Sequence, residues 1–189
     1  MKRNVFYTVM MIAAAIFTTS CGDDGDDWLD DWMVANQQAL NGIKANPEFK
    51  ELESPGGEGS IYYRVIKSGD GKKPVYYTST VSVYLKGWFV SDYPYYDIKK
   101  NAVFDQLLFD DGSPYSFNVA TGDASGYAVI NGWKTAVQNM VEGDKWEIWI
   151  PYQLAYGRYG RDIIYSFNKA SIPGYSTLAY EIEVVKVYE

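Results

Sequence analysis

The 189-residue chain contains no histidine and a single cysteine, Cys21. Without imidazole there is no histidine-based triad, no His-ligated zinc and no imidazole acid–base step. With one thiol there is no intrachain disulfide, no CxxC redox pair and no cysteine-rich metal site, so no metal or other cofactor is expected. The side chains present in quantity are rings: 18 Tyr, 8 Phe and 6 Trp, together 17% of the chain. Any pocket formed from this inventory is ring-lined, and charge-heavy chemistry is disfavoured. Seventeen basic against twenty-four acidic residues give a net charge of −7, which argues against nucleic acid as a partner. Apolar residues at 47% and charged residues at 22% describe a globular chain, long enough for one domain with an appendage.

The elements that must position those rings begin after a leader. Lys2 and Arg3 precede an apolar run from Val5 to Phe17, followed by Thr18, Thr19, Ser20 and Cys21. A basic start, a short hydrophobic segment and small residues before a cut site describe a secretory signal peptide over residues 1–20, too short for a membrane span. The junction resembles a bacterial lipobox, which implies lipidation of Cys21 and anchoring in the cell envelope, at the outer membrane. Thr18 departs from the usual aliphatic residue, and ordinary secretion is the alternative. Residues 22–27, Gly-Asp-Asp-Gly-Asp-Asp, read as a solvated tether. They also resemble the surface-export signals of bacterial lipoproteins. No Glu closes a calcium loop there.

Leu29, Trp32, Met33, Leu40 and Ile43 recur at helical spacing, predicting a helix from Trp28 that ends near Asn46-Pro47. It either docks on the main domain or pairs with a second copy. Ser54-Pro55-Gly56-Gly57-Glu58-Gly59 reads as linker, closing a helix-and-linker unit over 28–58. From 59 to 189 the pattern alternates. Ile61, Tyr63 and Val65 form one strand face, and Val81, Val83 and Leu85 alternate with Ser82, Tyr84 and Lys86. A tyrosine-rich loop spans Trp88 to Asn101, and short strands are expected over Val103–Phe109 and Tyr115–Val119. Val129 to Val141 is the one helical stretch of this half, with Gly143 as its C-cap. Trp146, Ile148 and Ile150 alternate, as do Leu178, Tyr180, Ile182 and Val184 against Glu181 and Glu183. The expected fold class is α+β, a curved antiparallel sheet wrapped on one short central helix, with an N-terminal helix extension.

Four ordered segments then converge. Tyr62–Pro74 (YYRVIKSGDGKKP) precedes Val81–Gly87 (VSVYLKG); Ala102–Leu107 (AVFDQL) precedes YSFNV and Ala128–Trp133 (AVINGW); Met140–Gly157 ends in AYG; Ser171–Val187 begins SIPGY. In this order they resemble an FKBP-type peptidyl-prolyl cis-trans isomerase over about two-thirds of the chain, residues 59–188. The resemblance implies isomerisation of X–Pro bonds, whose barrier of about 18–20 kcal/mol comes from amide resonance. No bond to a leaving group breaks, so neither nucleophile nor metal is needed. A dry cup disfavours the planar, charge-separated imide relative to its twisted form, and fixed hydrogen bonds select the twisted geometry.

By resemblance, Trp133 is the floor under the proline ring. Tyr84, Phe104, Tyr115, Val129, Ile130 and Tyr180 are its walls, and Ile172 caps it. The Ile130 N–H and the Tyr156 hydroxyl hold substrate carbonyls, and Asp105 polarises the imide region from the rim. The partners implied are proline-containing polypeptides, the membrane through Cys21 and a macrolide of the family's inhibitor class; the function is folding of exported proteins. Each role has a plainer competitor: core packing for Trp133, Val129, Ile130 and Tyr180, a turn carboxylate for Asp105, and a local hydrogen bond for Tyr156. A non-catalytic binding or chaperone module on the cell surface is the alternative function. Tyr115 and Tyr180 stand where the family more often has Phe, and Gly174 replaces a second proline. The stretches from Tyr84 to Phe104 and from Arg158 to Ser171 are long, the latter carrying Tyr159, Ile163, Ile164, Tyr165 and Phe167.

Overall fold

The computed structural model describes residues 27–91, 102–107, 112–124, 128–162 and 171–189. The signal peptide, Cys21, most of the acidic tether, and Ile163, Ile164, Tyr165 and Phe167 lie outside the described residues, as do residues 92–101 of the tyrosine-rich loop.

The chain opens with α1 (Asp27–Lys44), then β1 (Lys50–Glu53), β2 (Ser60–Lys67), β3 (Thr80–Phe89), β4 (Val103–Leu107), β5 (Tyr115–Asn118) and β6 (Gly122–Asp123). It continues through α2 (Asn131–Val137), β7 (Lys145–Ile150), a 3-10 turn (Tyr152–Leu154) and β8 (Leu178–Tyr188). The strands form one antiparallel sheet in the order β1-β2-β7-β8-β3-β5-β6, with β4 also paired to β3. This is the α+β arrangement of a sheet wrapped on a short helix.

β8 organises the core. Tyr180, Ile182 and Val184 alternate with Glu181 and Glu183, and the first set is buried. Pairing with β7 and β3 sets Ile148 opposite Tyr180, and Leu85 opposite Ile182, so aliphatic residues of three strands share one face. That face receives α2, whose Gly132, Trp133, Thr135, Ala136 and Val137 are all buried. A helix buried nearly all round must approach the sheet closely. Gly132 permits this: a Cβ there would stand 2.4 Å from Ile150 Cγ2.

Several expectations change. The helix extension docks through the expected stripe, with Trp32 and Leu40 buried. The sheet, however, begins at Lys50 rather than after residue 58, because β1 pairs with β2 and the Ser54–Gly59 segment turns a hairpin, Ser54 N–H donating to Gly59 O at 2.8 Å. Lys50-Glu51-Leu52-Glu53 is an edge strand with a single apolar residue, so no alternation announces it. Val65 shares its strand face with buried Ile61 yet is 44% exposed, because β2 outruns the core at its far end. β3 continues through Phe89, so the expected loop starts later than Trp88. α2 ends at Val137 with Gln138 as its C-cap, and Gly143 serves the turn into β7 at φ +89°, its N–H donating to Val184 O.

Candidate active site

The face between α2 and the sheet carries a connected set of rings. The Trp133 indole sits edge-on to Tyr180 with centroids 5.0 Å apart, 5.8 Å from Phe117 and 6.3 Å from Tyr115. Tyr180 meets Phe104 edge-on at 5.6 Å. Edge-to-face contacts of this kind each add about 0.5–1.5 kcal/mol beyond burial and fix ring orientation. Trp133 retains 6% exposure, and its Nε1 has no hydrogen-bond partner among the described residues. Val129, Ile130 and Ile172 are buried members of the same hydrophobic core cluster.

Two backbone features shape the wall. Gly87 of β3 stands opposite Tyr180 of β8, and a Cβ on it would lie 2.5 Å from the Tyr180 ring and 3.0 Å from Phe104 Cζ. The two rings therefore occupy the space a side chain would take. Asp105 also pairs with Gly87, whereas Trp88 pairs with Val103, so Phe104 is an extra residue in a β-bulge. A bulge breaks strict alternation and re-aims a side chain. Here it lets neighbouring Phe104 and Asp105 both serve the cup.

The polar groups lie at the edge of the rings. Tyr156 precedes a left-handed Gly157 in a turn closed by Gly157 N–H donating to Tyr152 O at 2.8 Å. Its hydroxyl oxygen accepts from Arg161 Nη1 at 3.2 Å and lies in hydrogen-bonding reach of the Tyr180 hydroxyl. A phenol oxygen that accepts from a guanidinium keeps its own proton to offer. Burial pushes the Tyr156 pKa upward against the opposing pull of the Arg161 charge, and the Asp105 charge raises it further. Ile130 is the extended N-cap of α2; its carbonyl accepts from Trp133 N–H at 3.1 Å, and its own N–H has no acceptor among the described residues. Two neutral donors therefore stand at the rim of an apolar floor.

The phenols that replace family phenylalanines are both satisfied. Tyr115 donates to Asp123 Oδ2 at 2.8 Å, and the hydroxyl of Tyr180, 1% exposed, pairs with that of Tyr156. Burial is the first cause raising both pKa values, with the Asp123 hydrogen bond second for Tyr115. A tyrosine held above its ordinary value near 10 contributes stability that is complete below pH 10 and lost as pH rises beyond it. Urea unfolding at pH 8 and pH 11 should therefore show a loss approaching about 1.4 kcal/mol per pH unit for each tyrosine kept neutral, less for partly buried Tyr115 where solvent screens. Tyr115→Phe should flatten that slope.

Trp133, Phe104, Tyr115, Val129, Ile130, Ile172 and Tyr180 come together around the ring cluster, with Asp105 and Tyr156 beside the buried phenols. Tyr84 does not join them. It pairs with Glu183, on the sheet face opposite to Ile182 and Tyr180, and its hydroxyl donates to Gly112 O at 3.1 Å. The inward residue is its neighbour Leu85, a member of the core cluster. Alternation alone leaves open which set faces in, and pairing with β8 decides it. Leu85, Gly87, Asp123 and Arg161 are site residues that sequence reasoning missed. Only Gly87, a glycine inside a strand, carried a visible sign of close approach.

A family model described as FKBP-type peptidyl-prolyl cis-trans isomerase matches residues 71–185. The FKBP-type 22 kDa peptidyl-prolyl cis-trans isomerase of Escherichia coli (strain K12) is 31% identical over 153 residues, 79% of this chain and 61% of that protein. The chain thus spans about three-fifths of that relative's length. An FK506-binding protein of Neisseria meningitidis serogroup B is 28% identical over 69% of this chain and 99% of its own length. Among solved structures, a peptidyl-prolyl cis-trans isomerase from Pseudomonas syringae superposes with a TM-score of 0.61 at 29% identity, covering 85% of this chain and 96% of that one. The match of the family model over more than half the chain, on a fold and ring cluster of this geometry, makes the chain a member of the FKBP-type peptidyl-prolyl cis-trans isomerase family.

Proposed function

We propose that this protein catalyses cis–trans isomerisation of X–Pro bonds in exported polypeptides, working from the cell envelope on a lipid anchor at Cys21. The observation that carries the catalytic part is the pairing of a nearly dry indole floor with two neutral donors, the Ile130 N–H, which has no acceptor among the described residues, and the Tyr156 O–H. The pyrrolidine ring rests on Trp133 between Phe104, Tyr115 and Tyr180. There the imide loses water that stabilises its planar, polar form, and the twisted form loses less. Tyr156 and Ile130 hold flanking carbonyls in the twisted geometry. Asp105 adds negative charge beside the rim, and Arg161 braces the Tyr156 oxygen. No side chain changes its protonation in this cycle.

The envelope role is supported by the lipobox-like junction and the acidic residues behind it. The name of the Neisseria relative supports a macrolide of the FK506 class as a competing ligand. The proposal is tested on a protein whose refolding is limited by proline isomerisation. Catalytic amounts of the chain should shorten the slow phase, and Tyr156→Phe should lower kcat by about 3- to 10-fold, the worth of one neutral hydrogen bond. An unaltered slow phase, with aggregation of the client suppressed, would favour the non-catalytic binding module instead.

A further inference from the structure

The helix α1 precedes the segment that the family model matches, yet it is fastened to the cup at two places. Trp32, 0% exposed, packs its ring on Phe89 at 5.9 Å, and Phe89 packs on Phe104 at 4.8 Å. Phe104 is the wall that meets Tyr180. The second fastening is polar. The Trp32 indole N–H donates to Ser176 Oγ at 3.1 Å, and the Ser176 hydroxyl donates onward to Pro173 O at 2.7 Å. Thr177 N–H donates to Asn36 Oδ1 at 2.8 Å, while Asn36 Nδ2 donates to Trp32 O at 2.9 Å.

Asn36 is 1% exposed on the apolar stripe of α1, where a helix that only needed to dock would carry an aliphatic residue. A buried amide is tolerated when its groups are satisfied, and Asn36 meets that condition with Oδ1 turned to Thr177 across the contact and Nδ2 turned back to Trp32 O within α1. Residues 172–177 receive the contact. At their other end, Arg161 and Ile172 exchange backbone hydrogen bonds of 2.7 and 2.8 Å, and Tyr175 N–H donates to Gly157 O at 3.0 Å. Tyr175 sits at φ +60°, a left-handed conformation that a residue with a side chain holds only when its surroundings impose it. The segment is therefore clamped from α1 on one side and from the Tyr156 turn on the other, and it carries Ile172 between them.

We infer that α1 is part of the substrate site, with Asn36 and Trp32 as positioning residues that hold the Ile172 wall and so set how tightly the cup closes on proline. The kinetic part rests on the isomerase reading above; the structural part does not. Loss of the clamp widens the cup without touching Trp133, Tyr156 or Ile130, so it weakens substrate binding and leaves turnover of bound substrate nearly intact.

The test uses the whole chain with Asn36→Ala, and with Trp32→Phe, which keeps a smaller ring on Phe89 and removes the donor to Ser176. In each, KM for a proline peptide should rise about 5- to 20-fold with kcat within about twofold, a split that general destabilisation does not produce. Amide exchange at Ile172 and Arg161 should accelerate by about tenfold or more, while Ile148 and Ile182 in the central strands change by less than about twofold. If Asn36→Ala fails to fold, Trp32→Phe decides. Unchanged exchange at Ile172 and Arg161 in a folded variant overturns the inference, whatever the kinetics. If the parent chain does not accelerate isomerisation at all, the isomerase reading fails, and selective exchange at those two amides still upholds the clamp.

Discussion

Trp133→Ala should lower kcat/KM for X–Pro isomerisation by roughly 60-fold and destabilise the fold by about 3–5 kcal/mol. The first figure follows from what the indole offers a proline ring. Three methylene groups of the pyrrolidine lie against it, each worth about 0.8 kcal/mol on burial, and about 2.4 kcal/mol corresponds to that factor. The second figure follows from the cavity left among Tyr115, Phe117 and Tyr180, which all touch the ring. Two measurements separate the effects: peptide isomerisation under conditions where the variant stays folded, and urea unfolding. An active variant of unchanged kcat/KM would show that Trp133 is core alone.

Gly87→Ala should be almost as damaging although it adds one methyl group. The new Cβ would stand 2.5 Å from the Tyr180 ring, which is held between Phe104 and Trp133. Overpacking of this kind costs about 1–3 kcal/mol. The displacement must go toward the cup, because the opposite side of Tyr180 is filled by Ile148 across the sheet. Affinity for an FK506-class macrolide and kcat/KM should each fall by about tenfold or more, since 1.4 kcal/mol of lost fit is already tenfold. Isothermal titration and the peptide assay check the two. Equal ligand affinity in a folded Gly87→Ala would mean that Tyr180 does not form the wall.

Legibility from sequence differed by the range of the contact that decides each residue. The alternation in β8 and the apolar face of α2 are local patterns, and their residues lie where the patterns put them. The ordered motifs also pointed to Phe104, Trp133 and Tyr180, whose rings the structure packs together. Tyr84 failed because β3 is covered on both faces, so a tyrosine and a leucine side by side look equally inward until Glu183 is found opposite the tyrosine. The bulge at Phe104 is a property of the pairing with β3 and has no signature in Ala102–Leu107 itself. Asn36 carries no sign of its role in the sequence, because its partner, Thr177, is 141 residues away. β1 was hidden for the opposite reason: Lys, Glu and Glu at an exposed edge protect it from mispairing and erase its hydrophobic signal.

The account turns on an uncharged ring cup lowering the barrier to rotation about an imide bond. Its direct test is the cis-to-trans relaxation of a proline tetrapeptide with the intact chain, with and without a saturating macrolide of the FK506 class. A saturable acceleration that the macrolide abolishes is the predicted result. Relaxation at the uncatalysed rate, by a protein that folds and binds the macrolide, would contradict it.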